Sequence, residues 1–181
     1  MRMATEIWDL YDAQGNRTGR TMRRNDPIPA GLYHLGVHIW PINSKGEFLI
    51  QQRASTVQWK PGMWSVTGGC AISGEDDLQA ALRELSEELG YNARAEELHR
   101  IAYLRKSNAF CAVFVLHTEL PADAFSLQRE EVEAVAWRDR EEMERMIAKN
   151  LLYNYGNAYY QMLFDYQRRA SQNPRAWETI K

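Results

Sequence analysis

The sequence is poor in cysteine and has no long apolar run. Only Cys70 and Cys111 occur among the 181 residues, which is too few for a disulfide framework and is typical of a reducing compartment. No stretch approaches the roughly 18 apolar residues that span a membrane, and residues 1–11 lack the apolar segment of a signal peptide. We therefore expect a cytoplasmic protein that has no membrane partner.

The chain also lacks an excess of charge of either sign. Its 22 Lys and Arg and 24 Asp and Glu residues give a net charge of -2, and they form no basic stripe. Because binding to nucleic acid depends on a basic surface that neutralises phosphates, we expect no nucleic-acid partner. The length fits one domain with terminal additions and is sufficient to bury a sizeable core.

The sequence does contain a cluster of acidic residues after a glycine-rich segment. The glycines Gly68, Gly69 and Gly74 predict a turn that leads into a helix with opposite acidic and apolar faces. The acidic face consists of Glu84, Glu87 and Glu88, and the apolar face consists of Leu78, Leu82, Leu85 and Leu89. Arg83 lies at i, i+4 from Glu87 but cannot neutralise three carboxylates. A divalent cation can, so the cluster predicts a metal site; a solvated acidic helix face is the alternative.

The spacing of these residues resembles the signature of the Nudix superfamily, G-x5-E-x7-R-E-U-x-E-E-x-G-U, where U is aliphatic. The matching residues are Gly69, Glu75, Arg83, Glu84, Leu85, Glu87, Glu88 and Gly90. Tyr91 departs from the pattern because the family usually has an aliphatic residue at this place. The resemblance covers this box in detail and residues 35–137 more loosely through the strand order. It implies an α/β fold, the Nudix α/β/α sandwich with a mixed β-sheet.

Turn residues and hydrophobic periodicity predict the order of the elements. We predict an N-terminal β-hairpin and linker over residues 1–31, a Nudix domain over residues 32–170 that includes a C-terminal helix, and a tail over residues 171–181. The hairpin strands are predicted at 6–11 and 17–22, and the linker at 26–31. The core strands are predicted at 35–42, 47–53, 64–66, 93–103 and 108–120, with one more ending at Trp137. Helices are predicted at 139–148 and 153–169, and Trp177 can pin the tail.

The resemblance also implies the residues that bind metal and move a proton. Glu84, Glu87, Glu88 and the backbone carbonyl of Gly68 would hold Mg²⁺ or Mn²⁺. The general base is either Glu87 or Glu131, which precedes Trp137 by six positions and has Glu130 beside it. Arg83 would orient the glutamates, and Glu75 would support the start of the helix, where a carboxylate is favoured.

Three further residues are candidates for substrate binding. Arg53 closes a predicted strand, and its planar donor fork suits phosphate oxygens; a surface arginine paired with a carboxylate is the alternative. Gly69 lets the backbone approach a ligand closely. Trp59 lies in a loop and either stacks on a base or fills an apolar niche. The activity implied is that of a pyrophosphohydrolase, which hydrolyses the diphosphate linkage of a nucleoside diphosphate derivative or related pyrophosphate.

Two other functions remain open. His34, the segment 60–64 and residues 130–132 also resemble isopentenyl diphosphate isomerase, a Nudix-fold enzyme. Its catalytic cysteine, however, falls on Gly68, one metal-binding histidine on Cys70, and its acidic pair on Ser107 and Ala109. A nucleotide-binding module without catalysis is the second alternative, although every acidic position of the box is retained.

The sequence carries weaker signals for specificity and assembly. Specificity is expected in residues 55–59, residues 106–110 and the final helix. An aromatic and apolar stripe on the final helix comprises Tyr155, Tyr159, Met162, Leu163 and Tyr166. We expect the stripe to pack inside the molecule, with a pocket wall or a dimer interface as the alternative. Together with the family resemblance, it makes a homodimer possible.

Overall fold

The computed structural model describes residues 6–172 of the chain. These residues contain nine strands and three α-helices. The strands are β1 (Ile7–Tyr11), β2 (Arg17–Arg23), β3 (His34–Ile42), β4 (Phe48–Arg53), β5 (Trp64–Ser65), β6 (Thr67–Cys70), β7 (Leu98–Arg105), β8 (Ala109–His117) and β9 (Val132–Arg138). The helices are α1 (Asp77–Leu89), α2 (Arg140–Ala148) and α3 (Asn157–Gln172). The order of elements is the predicted one, and Trp177 lies outside the described residues. No helix between residues 6 and 172 has the length and apolar character needed to cross a membrane.

Seven of the strands form one mixed sheet. Its central order is β5-β4-β3-β8-β7, with β6 paired to β3 and β9 paired to β4. The pair β3–β8 is parallel, from His34 beside Ala109 to Ile42 beside His117, whereas the other pairs are antiparallel. The mixed sheet predicted from the sequence is therefore confirmed.

Alternation along β8 shows how helices cover both faces of this sheet. Ala112, Phe114 and Leu116 join the core that contains the buried residues of α1, among them Leu85 and Leu89. The residues between them belong to a second core with α2 and α3; these residues are Cys111, Val113 and Val115. Because successive strand residues point to opposite faces, one continuous apolar strand serves both cores. The predicted α/β/α sandwich is confirmed.

Two elements differ from the sequence expectation. Gly68 and Gly69 lie in β6, which pairs with β3, and so they belong to a strand rather than to a turn. Helix α3 begins at Asn157 rather than near residue 153, since Gly156 has a φ of 103° that a helix does not allow. The stripe on α3 packs inside the molecule: Tyr159 and Leu163 are buried, and its other members lie against the same core.

The N-terminal hairpin docks on the sandwich instead of standing apart from it. Tyr11 and Tyr33 exchange two backbone hydrogen bonds, at 2.8 and 3.0 Å. The ring of Trp8 stacks on His34 with the centroids 4.8 Å apart. The amide of Ser73 donates to the carbonyl of Ile7 at 2.7 Å. The hairpin therefore lies against the segment that leads into α1.

Candidate active site

Helix α1 has well-defined ends because its sequence satisfies the backbone groups there. The carboxylate of Asp76 accepts from the amide of Gln79 at 2.8 Å, and the Gln79 side chain accepts from the amide of Asp76 at 2.9 Å. This capping box starts the helix. Gly90 ends it with a φ of 62°, and its amide bonds back into the last turn. The helix is thereby fixed next to the glycines of β6.

The acidic face of α1 does not point to solvent as the sequence periodicity suggested. Glu88 is buried, with 3% of its surface exposed, and the Glu84 side chain is 12% exposed. Only Glu87 has an open side chain, at 52%. Glu88 shares the interior with Leu85 because the sheet covers more than the leucine stripe of the helix. Two of the three carboxylates therefore lie between α1 and the sheet.

Arg83 uses all of its donors on protein groups. Its Nε and Nη2 bind the two oxygens of Glu75 at 2.8 and 3.0 Å, and Nη2 also donates to the carbonyl of Cys70 at 2.9 Å. Its Nη1 donates to Glu84 and to Glu87, both at 2.9 Å. A guanidinium has five N–H groups, and these five contacts account for them. Arg83 thus links three carboxylates of the box to the end of β6, and its orienting role stays a prediction.

The buried carboxylate of Glu88 is held by a short polar network. Its Oε2 accepts from the side-chain amide of Gln51 and from the backbone amide of Gly68, both at 3.1 Å. The hydroxyl of Thr67 donates to Gln51 at 3.0 Å, which orients the Gln51 amide. A buried charge is tolerated only with such partners. Gln51 and Thr67 were not singled out by the sequence, since their importance arises only from strand pairing.

Burial and mutual repulsion disfavour ionisation of these carboxyls. Burial raises the pKa of Glu88 to about 8, and the charges of Glu84 and Glu131 add to the effect. Burial raises the pKa of Glu84 to about 7; Arg83 opposes this, while Glu87 and Glu131 reinforce it. The neighbouring guanidinium of Arg83 is favoured in its charged form. Burial therefore outweighs the ion pair at Glu84.

The carboxylates of the box have free oxygens of the type that binds a cation. Each of Glu84, Glu87 and Glu88 uses one oxygen in the bonds above, and its other oxygen accepts no hydrogen bond from residues 6–172. Across that same range, however, no three acidic, histidine or cysteine side chains stand close enough to hold a metal as they are. The donor chemistry is that of Mg²⁺ or Mn²⁺, which take oxygen ligands.

Arg53 and Trp59 form a second part of the site. The Nε of Arg53, at the end of β4, donates to the carbonyl of Trp59 at 2.8 Å, and the guanidinium lies 5.0 Å from the centre of the Trp59 ring. The ring of Tyr153 lies 4.9 Å from that of Trp59. The Trp59 side chain nevertheless stays 48% exposed. The arrangement leaves Trp59 partly exposed beside an arginine that has no carboxylate partner among residues 6–172.

These groups line one cleft of about 760 Å³. Among residues 6–172, the lining includes the predicted Arg53, Trp59, Arg83, Glu87 and Glu131, together with Glu130. It also includes Glu6, Arg24 and Asn25 of the hairpin, which the sequence analysis did not identify. No local pattern could have revealed them, because their position depends on how the hairpin docks. Gly68, Gly69, Glu84 and Glu88 lie beside the cleft, in β6 and on the inner side of α1.

The remaining candidate residues from the sequence do not line this cleft. Residues 106–110 and α3 do not line this cleft, and Lys106 instead lies 5.5 Å from the ring of Tyr155. Cys70 is half-buried, and burial raises the pKa of its thiol to about 12, so it stays protonated. His34 stacks on Trp8, and burial lowers its pKa. Neither residue forms part of the cleft lining.

The fold and the site together define an α/β/α protein with an acidic helix next to a glycine-containing strand. The family model of the NUDIX domain matches residues 32–158. The chain belongs to the Nudix hydrolase family. The hairpin residues that line the cleft lie outside the matched range.

Two curated relatives illustrate the relationship. "Nudix hydrolase 3" of Arabidopsis thaliana is 32% identical over 189 residues, an alignment that covers 94% of this chain and 24% of that protein. The chain thus spans about a quarter of its length. An uncharacterized Nudix hydrolase of Listeria monocytogenes, lmo0368, is 29% identical over 163 residues and is covered over 96% of its length, with 84% of this chain aligned.

Solved structures share the fold. DR0079 from Deinococcus radiodurans superposes with a TM-score of 0.71 at 22% identity, covering 91% of this chain and 98% of that one. A bifunctional NMN adenylyltransferase/ADP ribose pyrophosphatase from Francisella tularensis, in complex with AMP and a manganese ion, has a TM-score of 0.57 at 16% identity. That superposition covers 75% of this chain and 42% of the Francisella chain.

Proposed function

We propose that this protein is a metal-dependent hydrolase that cleaves the diphosphate linkage of a nucleoside diphosphate derivative. The observation that carries the proposal is that Glu84, Glu87 and Glu88 each keep one carboxylate oxygen without a hydrogen bond from residues 6–172. A cation at this place would relieve the repulsion between carboxylates that are otherwise costly to bury. The manganese ion and the ADP ribose pyrophosphatase activity named for the structurally similar Francisella protein support this choice of chemistry.

The residues of the box would act on a diphosphate as follows. Glu84, Glu87, Glu88 and the carbonyl of Gly68 would hold Mg²⁺ or Mn²⁺. Such an ion, when bound, supplies Lewis-acid polarisation of a phosphoryl oxygen. Gly69 would let the backbone come close to the phosphates. Arg83 keeps Glu84 and Glu87 in place.

Arg53 and Trp59 would bind the nucleotide. The Nη groups of Arg53 make no hydrogen bond with residues 6–172, so they remain available to phosphate oxygens. The exposed part of the Trp59 ring would stack on the base, an interaction that aromatic side chains provide with little dependence on base identity. The Arg53 guanidinium lies 5.0 Å from the centre of the Trp59 ring, so both residues are within reach of one nucleotide.

We assign the general base to Glu131 rather than Glu87. One oxygen of Glu87 binds Arg83, and its other oxygen is proposed as a metal ligand. Glu131 lines the cleft on the opposite segment, before β9, and neither carboxylate oxygen has a hydrogen bond or ion pair within residues 6–172. A carboxylate without such engagement can accept the proton of the attacking water.

The proposed reaction is tested with a substrate panel. The protein is incubated with Mg²⁺ or Mn²⁺ and nucleoside di- and triphosphates, nucleotide sugars, dinucleotides or isopentenyl diphosphate, and the products are separated. We expect phosphate-containing hydrolysis products from at least one nucleotide. An isomerised isopentenyl diphosphate would favour the isomerase, and binding of nucleotides without turnover would favour the non-catalytic module.

Two variants separate the metal ligand from the base. Glu131→Gln should lower kcat about 10²- to 10⁴-fold without raising the metal concentration required for half-maximal rate, because the proton acceptor is lost and the proposed metal ligands are kept. Glu87→Gln should lower turnover by about three orders of magnitude and raise the metal concentration required for half-maximal rate. Glu141→Gln, on the exposed surface of α2, is the control. A wild-type kcat in Glu131→Gln would overturn the assignment of the base.

The quaternary structure is a separate proposal. A homodimer is expected from the family and not from the α3 stripe, since that stripe packs inside the molecule. Size-exclusion chromatography with light scattering tests it: a mass of twice 21.0 kDa supports the dimer, and a mass of 21.0 kDa excludes it.

A further inference from the structure

The end of the N-terminal hairpin forms one wall of the cleft. Glu6, Arg24 and Asn25 line the same cavity as Trp59 and Glu131. A volume of about 760 Å³ is in the range that accommodates a whole cofactor-sized ligand. The wall lies outside residues 32–158, to which the family model is matched. It is therefore a feature of this chain that can set specificity without altering the box.

This wall is fixed by backbone contacts. The amide of Arg24 donates to the carbonyl of Glu6 at 2.9 Å, next to the strand pair formed by Ile7 and Arg23. The chain then reverses in a turn in which Asp26 donates to the carbonyl of Arg23 and Asn25 has a φ of 75°. Asparagine is among the few residues that adopt this conformation readily. The side chains of Glu6 and Arg24 are thus presented from a rigid base.

The charges of the wall differ from those around Arg53. The Nη1 of Arg24 pairs with the carboxylate of Glu6 at 2.7 Å, and the side chains are 45% and 34% exposed. Glu131 also contributes negative charge near Arg24. Arg53, in contrast, has no carboxylate partner among residues 6–172. Arg53 therefore suits an anion. The Arg24–Glu6 pair has a net charge near zero and presents both hydrogen-bond donors and acceptors.

Such a pair matches hydroxyl groups better than phosphate. A sugar hydroxyl accepts a hydrogen bond from a guanidinium and donates one to a carboxylate, so both members of the pair are used. A phosphate placed there would meet the like charge of Glu6. Asn25 adds an amide that can both donate and accept.

We infer that Glu6 and Arg24 form a specificity-determining pair that binds the hydroxyl-bearing moiety on the far side of the diphosphate. The inference rests on the proposed diphosphate hydrolysis and narrows its substrate class to nucleoside diphosphate sugars. In this arrangement the base lies on Trp59, the diphosphate lies between Arg53 and the box, and the sugar reaches the hairpin.

The test compares two substrates that share the same diphosphate linkage. One is a nucleoside diphosphate sugar, and the other is the methyl ester of the same nucleoside diphosphate, which lacks the sugar. The full chain and its variants Glu6→Gln and Arg24→Met are assayed for kcat/KM on both. Arg20→Met, which changes an exposed arginine of β2 outside the cleft, is the matched control. Thermal unfolding of each variant checks that the hairpin remains folded.

We expect kcat/KM for the sugar substrate to fall about tenfold or more in each cleft variant, because a hydrogen bond to a charged group is lost. The value for the methyl ester should stay within about twofold of wild type, and Arg20→Met should change neither. Equal losses on both substrates would place Arg24 on the diphosphate and overturn the inference, as would no loss on either. Both results leave the proposed hydrolase intact. Wild-type protein that hydrolyses neither substrate would overturn the proposed function as well.

Discussion

Gly68 and Gly69 are adjacent, yet the structure requires glycine at each for a different reason. At Gly68 a Cβ would overlap the backbone carbonyl of Val37, and the φ of 152° disfavours other residues. At Gly69 the added atom would overlap the carboxylate of Glu84 instead. One glycine therefore permits strand pairing, and the other makes room for a proposed metal ligand.

This contrast predicts different effects of two alanine substitutions on stability and activity. Gly68→Ala should lower the unfolding free energy by about 3 kcal/mol, because backbone atoms of β3 must shift. Gly69→Ala should cost only about 1 kcal/mol but reduce activity about 10- to 100-fold, because the Glu84 carboxylate is displaced. Urea unfolding and kcat/KM measure the two quantities. Equal losses of stability in the two variants would contradict the assignment.

Single residues of the site also differ in whether the sequence could predict their contacts. Arg83 and Glu87 are four residues apart on one helix, and their ion pair was predicted and is present at 2.9 Å. The burial of Glu88 was not predicted, because helical periodicity identifies a face but not how far the sheet extends across it. Gln51 likewise has no local signature. Its importance comes from β4 lying near α1, a contact between residues 37 positions apart.

At the scale of elements, the hairpin supports the segment that begins the box. The carboxylate of Asp9 accepts from the hydroxyl of Ser73 at 2.7 Å and from the amide of Gly74 at 3.0 Å. Arg17 donates to the carbonyl of Glu75 and lies 3.4 Å from Asp9. Burial raises the pKa of Asp9. The hydrogen bonds from Gly74 and Ser73 and the charge of Arg17 outweigh this effect, so the pKa lies below its usual value.

Removing this contact should loosen the entry to α1. Asp9→Ala deletes two acceptors, so we expect the unfolding free energy to fall by about 1 to 2 kcal/mol. Hydrogen exchange at the amide of Gly74 should become faster, since its acceptor is gone. Asp26→Ala, an exposed carboxylate of the following turn, is the control. Unchanged exchange at Gly74 would show that the hairpin does not hold this segment.

The elements themselves were predicted better than their contacts. The alternating and apolar runs of β3, β4 and β8 and the capped helix α2 were located within a few residues, because each has a strong local period. The docking of the hairpin against Ser73 was not predicted, since it joins segments 66 residues apart, Ile7 to Ser73. The start of α3 was placed too early because the conformation of Gly156 is not visible in an apolar pattern.

At the scale of the whole molecule, an aromatic network packs on the face of the sheet that α2 and α3 cover. His38 lies beside Gly68 in the β3–β6 pairing. Its Nδ1 is 2.8 Å from the hydroxyl of Tyr159, which also accepts from the indole of Trp40 at 2.8 Å. Lys106 is a cation close to the rings of Tyr155 and Tyr159. Burial, with a smaller contribution from Lys106, lowers the pKa of His38 to about 3.

The neutral His38 makes a contribution to stability that is lost in acid. Between pH 6.5 and pH 3 the unfolded chain binds a proton at this side chain and the folded chain does not, so stability is present above the unfolded pKa and falls as the pH falls. We expect this group to contribute a loss of about 1 to 2 kcal/mol between pH 7 and pH 5. His38→Asn should show a correspondingly smaller loss in urea unfolding at the two pH values. Tyr159→Phe, which breaks the same network without removing the titrating group, should be destabilised at both pH values. Parallel pH dependences of wild type and His38→Asn would show that this histidine is not kept neutral by folding.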